Sequence, residues 1–211
     1  MINSILKRIF KEAVLYILCS IFVRFSHFIV LPLLYKSLSI AEYNLFDKVV
    51  VFSTYLTIFT VWGLDNTYAR LISAKDSCKS ILNITYIQLS LIQITLVFVI
   101  LAIANSLLNF ESSLHLIFIF CLGLTFQNIF LNYFRWNSKI KSYVLSCLFY
   151  GSLFPLIIFF LAKDEVISIE MVVLTRLTLN AILFIKVLLD IKIWAKILSF
   201  NSTVVKEIYN L

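Results

Sequence analysis

The segment that decides the fold runs from Ser80 to Phe110 and reads SILNITYIQLSLIQITLVFVILAIANSLLNF. These 31 residues include no charged side chain, whereas an apolar helix needs only about 20 residues to cross a bilayer. The apolar residues do not alternate with polar ones, as they would in the strands of a membrane barrel. The segment therefore predicts a transmembrane helix.

Five further runs are also long and apolar, with at most three charged residues each, and the whole composition agrees with them. The chain is 62% hydrophobic and 14% charged, against about 45–50% and about 25% in soluble domains. One apolar run also fits a buried helix of a soluble protein, but six in 211 residues do not. We predict an all-α polytopic membrane protein with six spans, at residues 13–35, 44–64, 80–104, 112–134, 142–162 and 166–189.

The basic residues predict which side of the membrane each connection faces. One set of alternate segments holds 13 of the 18 Lys and Arg residues, and the other set holds only Lys36, Lys48 and Lys163. Because cytoplasmic segments are enriched in Lys and Arg, the first set is predicted to be cytoplasmic. Both termini are then cytoplasmic, including a tail over residues 190–211. The basic residues are divided among separate segments, so the net charge of +7 does not indicate a nucleic-acid partner.

Polar residues within the spans are the candidate functional residues. Arg24 lies at the middle of the first span with His27 one turn further on, and the fourth span carries Asn128 and Asn132. Arg176 lies near the middle of the sixth span. Hydrogen bonds between helices, worth about 0.6 kcal/mol each, explain most polar residues in spans, and we prefer this explanation for Ser, Thr and Cys. An arginine at the bilayer centre costs about 2.5–3.5 kcal/mol, so Arg24 and Arg176 indicate either a cavity for an anionic ligand or a structural role.

Three segments together resemble one transporter family. They are LPLLYKSLSIAEYNLFD (31–47), GLDNTYARL (63–71) and YFRWNSKIKSYVLS (133–146), and their order and spacing also agree. The chain is similar to the polysaccharide and O-antigen flippases of the multidrug/oligosaccharidyl-lipid/polysaccharide exporter superfamily. One departure is Asn44, where the family often has Gly; Asn tolerates a left-handed turn better than most residues.

The resemblance implies a flippase that moves lipid-pyrophosphate-linked oligosaccharide repeats across the bacterial inner membrane. Because members have about twelve to fourteen spans in two six-helix lobes, it also implies that residues 1–211 are an N-terminal lobe, inactive alone. The implied partners are the lipid-linked oligosaccharide, membrane lipids, and a missing C-terminal lobe or a second copy. The substrate-binding residues would be Arg24, His27, Asn128, Asn132, Arg176 and Asn180. The cytoplasmic motif would comprise Gly63, Asp65, Arg70 and Arg135.

Two other classes of function remain open. A drug or small-molecule exporter of the same superfamily is one, although arginines in the cavity would repel a cationic cargo. A membrane enzyme or an assembly subunit without transport is the other. The sequence has no metalloprotease motif, nucleophile elbow or phosphate-binding glycine loop, so we expect no catalytic activity, cofactor or metal site.

Overall fold

In a computed structural model, the protein is described over residues 2–61, 63–74, 79–108, 114–163 and 167–191. These residues form seven α-helices and no strand. The helices are α1 (Ile2–Ser37), α2 (Ile40–Val61), α3 (Leu64–Ala74), α4 (Lys79–Leu108), α5 (Leu114–Trp136), α6 (Ile140–Lys163) and α7 (Ile169–Asp190). All except α3 are long and apolar enough to cross a membrane, which confirms the prediction of an all-α protein with six spans.

The described helices include one that the predicted spans do not account for. The sequence analysis did not predict α3, an 11-residue helix between the second and third spans. Its Leu64, Tyr68, Leu71 and Ile72 are buried, which is the spacing of one helix face. The predicted tail lies outside the described residues after Ile191.

Local signals in the sequence set the helix starts. Ser39 and Glu42 form a capping box before α2, because the Ser39 amide and hydroxyl both donate to Glu42 Oε2, at 3.1 and 2.8 Å. The Glu42 amide donates to Ser39 Oγ in return, at 3.3 Å. Ser168 caps α7 through a single hydrogen bond, which its side chain accepts from the Met171 amide.

Helix α5 lies at the centre of the bundle and contacts α2, α3, α4, α6 and α7, while α1 packs mainly along α6. The buried side chains at these contacts are mostly aromatic and aliphatic; the largest fully buried ones include Phe120, Phe130, Tyr133, Phe134, Tyr150 and Phe154. The outer surface is also apolar. Phe25 and Phe28 on α1 are 59% and 66% exposed, and Leu96 on α4 is 55% exposed. Large apolar side chains on the surface as well as inside are expected when the surrounding solvent is lipid.

A line of small polar residues joins α2 to α5. Ser53 donates to the Ile117 carbonyl at 2.9 Å, and Thr60 shares a hydrogen bond with Thr125 at 3.1 Å. Thr57 contacts the sulfur of Cys121 between them, at 3.7 Å. Small residues let two helix backbones approach closely in a membrane, and their hydroxyls add interhelical bonds. These contacts agree with the structural explanation for the residues that make them. Thr54 of the same span is exposed and donates to the Val50 carbonyl of its own helix.

Candidate functional site

Arg176 lies inside the bundle, on the face of α7 that meets the other helices. It follows the start of α7 by seven residues, about 10 Å along the helix axis, and is 7% exposed. Its Nη2 atom is 3.4 Å from His27 Nε2 on α1 and 3.4 Å from Gln127 Oε1 on α5. The guanidinium carbon lies 4.3 Å from the centre of the Phe120 ring, within cation–π distance.

The contact with Arg176 fixes the tautomer of His27. A guanidinium group only donates hydrogen bonds, so His27 Nε2 must accept and its ring proton must sit on Nδ1. The imidazole also packs edge-on against Tyr150 and Phe154 of α6, with ring centres 5.9 and 5.6 Å apart. His27 is therefore a neutral partner of the arginine and adds no second positive charge.

Several polar atoms beside Arg176 have no hydrogen-bond partner within the described part of the chain. They are the Nε atom of Arg176, both amide atoms of Asn180 and the hydroxyl of Tyr150. Asn180 lies one turn after Arg176 on α7, and Tyr150 lies close enough to interact electrostatically with Arg176. Asn180 and Tyr150 are almost fully buried, at 0% and 1% exposed. We call Arg176, His27, Gln127, Tyr150 and Asn180 the Arg176 cluster.

The positive charge of Arg176 has no carboxylate partner in the ranges that the structure describes. Both of its hydrogen-bond partners are uncharged and both bonds are long. Burying a cation without an opposite charge is costly, and in membrane spans such residues usually mark a ligand or ion site. The Arg176 cluster is therefore the first candidate site.

Arg24 occupies a different environment, although it is only three residues from His27. It lies at the middle of the span Phe10–Ser37, on the outer surface of α1, and is exposed. Its surface neighbours on α1 are Ile21, Phe25 and Phe28, all more than half exposed. Within the described residues, Arg24 makes neither a hydrogen bond nor an ion pair. The structure thus places one predicted arginine on the surface and the other inside.

The other predicted substrate-binding residues are divided between two places. Asn180 belongs to the Arg176 cluster. Asn128 is partly buried on α5. Asn132 lies nearer the end of α5 and interacts with the carboxyl group of Asp65 and the hydroxyl of Tyr86. Asn132 is therefore grouped with a residue of the predicted cytoplasmic motif rather than with Arg176.

A second polar cluster forms at that end of the bundle, around α3. The Tyr86 hydroxyl donates to Asp65 Oδ1 at 2.7 Å, and the Tyr86 ring stacks on Tyr68 with centres 4.2 Å apart. Tyr68 donates to Asn83, and Asn137 Nδ2 donates to the Tyr68 hydroxyl at 2.8 Å. These bonds tie α3 to α4 and to the turn between α5 and α6. We call this group the α3 network.

Burial shifts the pKa values of the ionisable side chains in the α3 network. It raises the pKa of Asp65 above the usual range, while the hydrogen bonds from Tyr86 and Asn132 oppose the increase. Burial likewise raises the pKa of Tyr68 well above its usual value, so its hydroxyl stays protonated at all physiological pH values. The Asp65 carboxyl group therefore loses its charge at a higher pH than an ordinary aspartate does.

The remaining residues of the predicted cytoplasmic motif lie at the same end of the bundle. Gly63 has φ +74°, a left-handed conformation that turns the chain between α2 and α3 and that glycine adopts without strain. Arg70 is exposed on α3. Arg135 is exposed near the end of α5, and its guanidinium lies 4.9 Å from the centre of the Trp136 ring.

Sequence reasoning missed Gln127, Tyr150 and most of the α3 network. Gln127 adjoins Asn128 in sequence but points to a different neighbour, and only the helix packing distinguishes the two. Tyr150 lies within the fifth predicted span, but its proximity to Arg176 depends on how α6 meets α7. Buried tyrosines usually find a partner for the hydroxyl, and that tendency is the signal that could have identified Tyr68 and Tyr86.

Comparisons with protein families, curated proteins and solved structures gave no match to this chain.

Proposed function

We propose that the chain is one lobe of a flippase that moves lipid-pyrophosphate-linked oligosaccharide repeats across the bacterial cytoplasmic membrane. The observation that carries the proposal is Arg24, a cation exposed at mid-membrane depth with no partner in the described residues. A guanidinium surrounded by lipid tails would be unfavourable by about 2.5–3.5 kcal/mol. A pyrophosphate that crosses the membrane beside α1 would supply the missing negative charge at that depth.

The chemistry of arginine suits this substrate. Guanidinium groups form paired, charge-assisted hydrogen bonds with phosphate oxygens, and they stay charged in apolar surroundings. His27 is neutral and turned towards Arg176, so Arg24 is the residue of α1 that would meet the pyrophosphate. Asn128, which is partly buried on α5, supplies an amide of the kind that binds sugar hydroxyls.

The same observation favours a second lobe opposite the surface of α1 that carries Arg24. A transport cavity at mid-depth needs two walls, because alternating access moves one bundle of helices against another. The second wall would be a C-terminal lobe or a second copy of this chain. A wall of either kind would shield Arg24 from lipid and enclose the pyrophosphate.

The distribution of charge supports an orientation with the α3 network in the cytoplasm. That end of the bundle carries Arg70, Lys79, Arg135, Lys139 and Lys141, whereas the described residues of the opposite end carry Lys36, Lys48 and Lys163. We infer from the enrichment of cytoplasmic segments in Lys and Arg that both termini are cytoplasmic. Reporter fusions after Lys79 and Lys141 should give a cytoplasmic signal, and an external signal at Lys141 would contradict this orientation.

The function is tested by restoring surface polysaccharide in a flippase-deficient bacterial strain. We compare the chain alone with the chain co-expressed with a matching C-terminal lobe, and we expect export only from the pair. In the pair, Arg24→Ala should abolish most export and Arg24→Lys should retain part of it, since lysine keeps the charge but not the paired hydrogen bonds.

Phe25→Ala is the matched control, because Phe25 is the neighbouring exposed residue of the same helix, and it should leave export unchanged. Normal export by Arg24→Ala at normal protein level would show that Arg24 does not bind the substrate. Export of cationic dyes without any effect on polysaccharide would overturn the flippase proposal in favour of a drug exporter.

A further inference from the structure

The Arg176 cluster has an excess of hydrogen-bond donors. Arg176 Nε, the Tyr150 hydroxyl and both amide atoms of Asn180 are buried without a close hydrogen-bond partner in the described part of the chain. Tyr150 and Asn180 interact with each other, but the donor hydrogens of the three side chains outnumber their acceptor oxygens. The two acceptors that Arg176 does have, His27 Nε2 and Gln127 Oε1, are both 3.4 Å away, at the long limit of a hydrogen bond. Buried donors are nearly always satisfied in native proteins, so something that accepts hydrogen bonds belongs beside Arg176.

The charge of the cluster limits what that acceptor is. Arg176 is positive, and the side chains around it, from α1, α5 and α6, are His27, Gln127, Phe120 and Tyr150. None of these is acidic, and His27 is neutral because it accepts from the guanidinium. A water molecule would accept the same hydrogen bonds but would leave the positive charge uncompensated.

The enclosure of the cluster limits the size of the acceptor. Arg176, Tyr150 and Asn180 are 7%, 1% and 0% exposed, and the rings of Phe120 and Phe154 close two sides of the cluster. A pyrophosphate attached to a lipid and a sugar chain would have to separate the helices to enter. A single small ion occupies much less space than such a substrate.

From these observations we propose that Arg176, Tyr150 and Asn180 bind a small monovalent anion of the chloride class within the bundle. The ion accepts hydrogen bonds from Arg176 Nε, the Asn180 amide and the Tyr150 hydroxyl, and it neutralises the guanidinium. The site is separate from the surface of Arg24, and it does not depend on the flippase proposal. The bound ion stabilises the charged Arg176 of α7 inside the bundle. The packing of α1, α5, α6 and α7 around Arg176 then depends on the anion.

The test is the thermal stability of the purified full chain in detergent micelles, in sodium chloride and in sodium gluconate at equal ionic strength. A ligand that binds only the folded state raises the melting temperature in a saturable manner. We expect chloride and bromide to raise the melting temperature with saturation. Any effect of inorganic phosphate or pyrophosphate should not depend on Arg176.

Three variants locate the site. Arg176→Met should lose the response to chloride and should be at least as stable in gluconate as the wild type, because the uncompensated charge is gone. Tyr150→Phe keeps the ring and removes one donor, so chloride should bind about fivefold more weakly. Lys163→Met removes an equal charge from the exposed end of α6, outside the cluster, and should respond to chloride as the wild type does.

Each contrary result has a definite meaning. The same melting temperature in chloride and gluconate for the wild type would overturn the proposal and leave water as the acceptor. So would an unchanged chloride affinity in Tyr150→Phe, which still tests the site if Arg176→Met does not fold. Stabilisation by pyrophosphate through Arg176, without any effect of chloride, would make the cluster a substrate site instead. None of these measurements involves transport, so a failure of the flippase proposal would leave the chloride response unaffected.

Discussion

Replacing Tyr86 by Phe isolates a single hydrogen bond of the α3 network. The change removes the hydroxyl that donates to Asp65 Oδ1 at 2.7 Å and keeps the ring that stacks on Tyr68. Hydrogen bonds to charged groups contribute about 1.5–3 kcal/mol to stability. Asp65 is partly buried and still interacts with Asn132, so we expect a loss near the middle of that range, about 2 kcal/mol.

The pH dependence of this loss follows from the pKa of Asp65. Burial raises that pKa and the bond from Tyr86 lowers it, so the Tyr86→Phe change raises it further. The difference in stability between wild type and variant is then fully present above the pKa of Asp65 in the variant. It shrinks as the pH falls and the carboxyl group becomes protonated in both proteins, because a neutral acceptor makes a weaker bond.

The assay is thermal unfolding of the full chain in detergent micelles at neutral and acidic pH. For a protein of this size, 1 kcal/mol shifts the melting temperature by about 2–4 °C, so Tyr86→Phe should lower it by about 4–8 °C at neutral pH. Tyr55→Phe is the matched control, because Tyr55 is 63% exposed on α2. Equal melting temperatures for the two variants at neutral pH would refute the reasoning, as would a loss of the same size at both pH values.

Three further predictions use the same measurement. Gly63→Ala should cost about 1–2 kcal/mol, because an L residue is strained at φ +74° although the added methyl group meets no atom; an unchanged melting temperature would contradict this. Thr125→Val should cost about 0.6 kcal/mol through the lost bond to Thr60, and a stabilised variant would show that the bond contributes nothing. Asp65→Asn keeps an acceptor for Tyr86 and removes the charge. The wild type loses stability as the pH rises through the pKa of Asp65, and this decrease should be absent in the variant. The wild-type pH profile in this variant would contradict the assignment.

The six spans could be predicted from the sequence because a membrane imposes a length and an apolar composition that few soluble helices meet. The short helix α3 could not be predicted in the same way. Its apolar residues occupy only one face of 11 residues, and the polar residues between them resemble those of a loop. Its position depends on Tyr68 and Tyr86 stacking across two helices, a contact that no local pattern encodes.

The candidate site was only partly predictable, for a physical reason specific to membrane proteins. In a soluble helix, the polar side faces water, so the pattern of residues shows which way each side chain points. Here both the lipid-facing and the inward-facing surfaces are apolar, and the pattern loses that information. Arg24 and His27 were expected on one face of α1, yet Arg24 is exposed and His27 meets Arg176 across the bundle.

The orientation of each helix is therefore recorded mainly in its polar residues and in their partners on other helices. Ser53, Thr57 and Thr60 identify the inward face of α2 because Ile117, Cys121 and Thr125 on α5 lie opposite them. The two arginines also differ in their partners on other helices. Arg176 has neutral partners on α1 and α5 that hold it inside, whereas Arg24 has none in the described residues. A buried arginine needs an anion small enough to be enclosed with it, whereas an exposed arginine can contact a large substrate. We therefore propose a small anion for Arg176 and the pyrophosphate for Arg24.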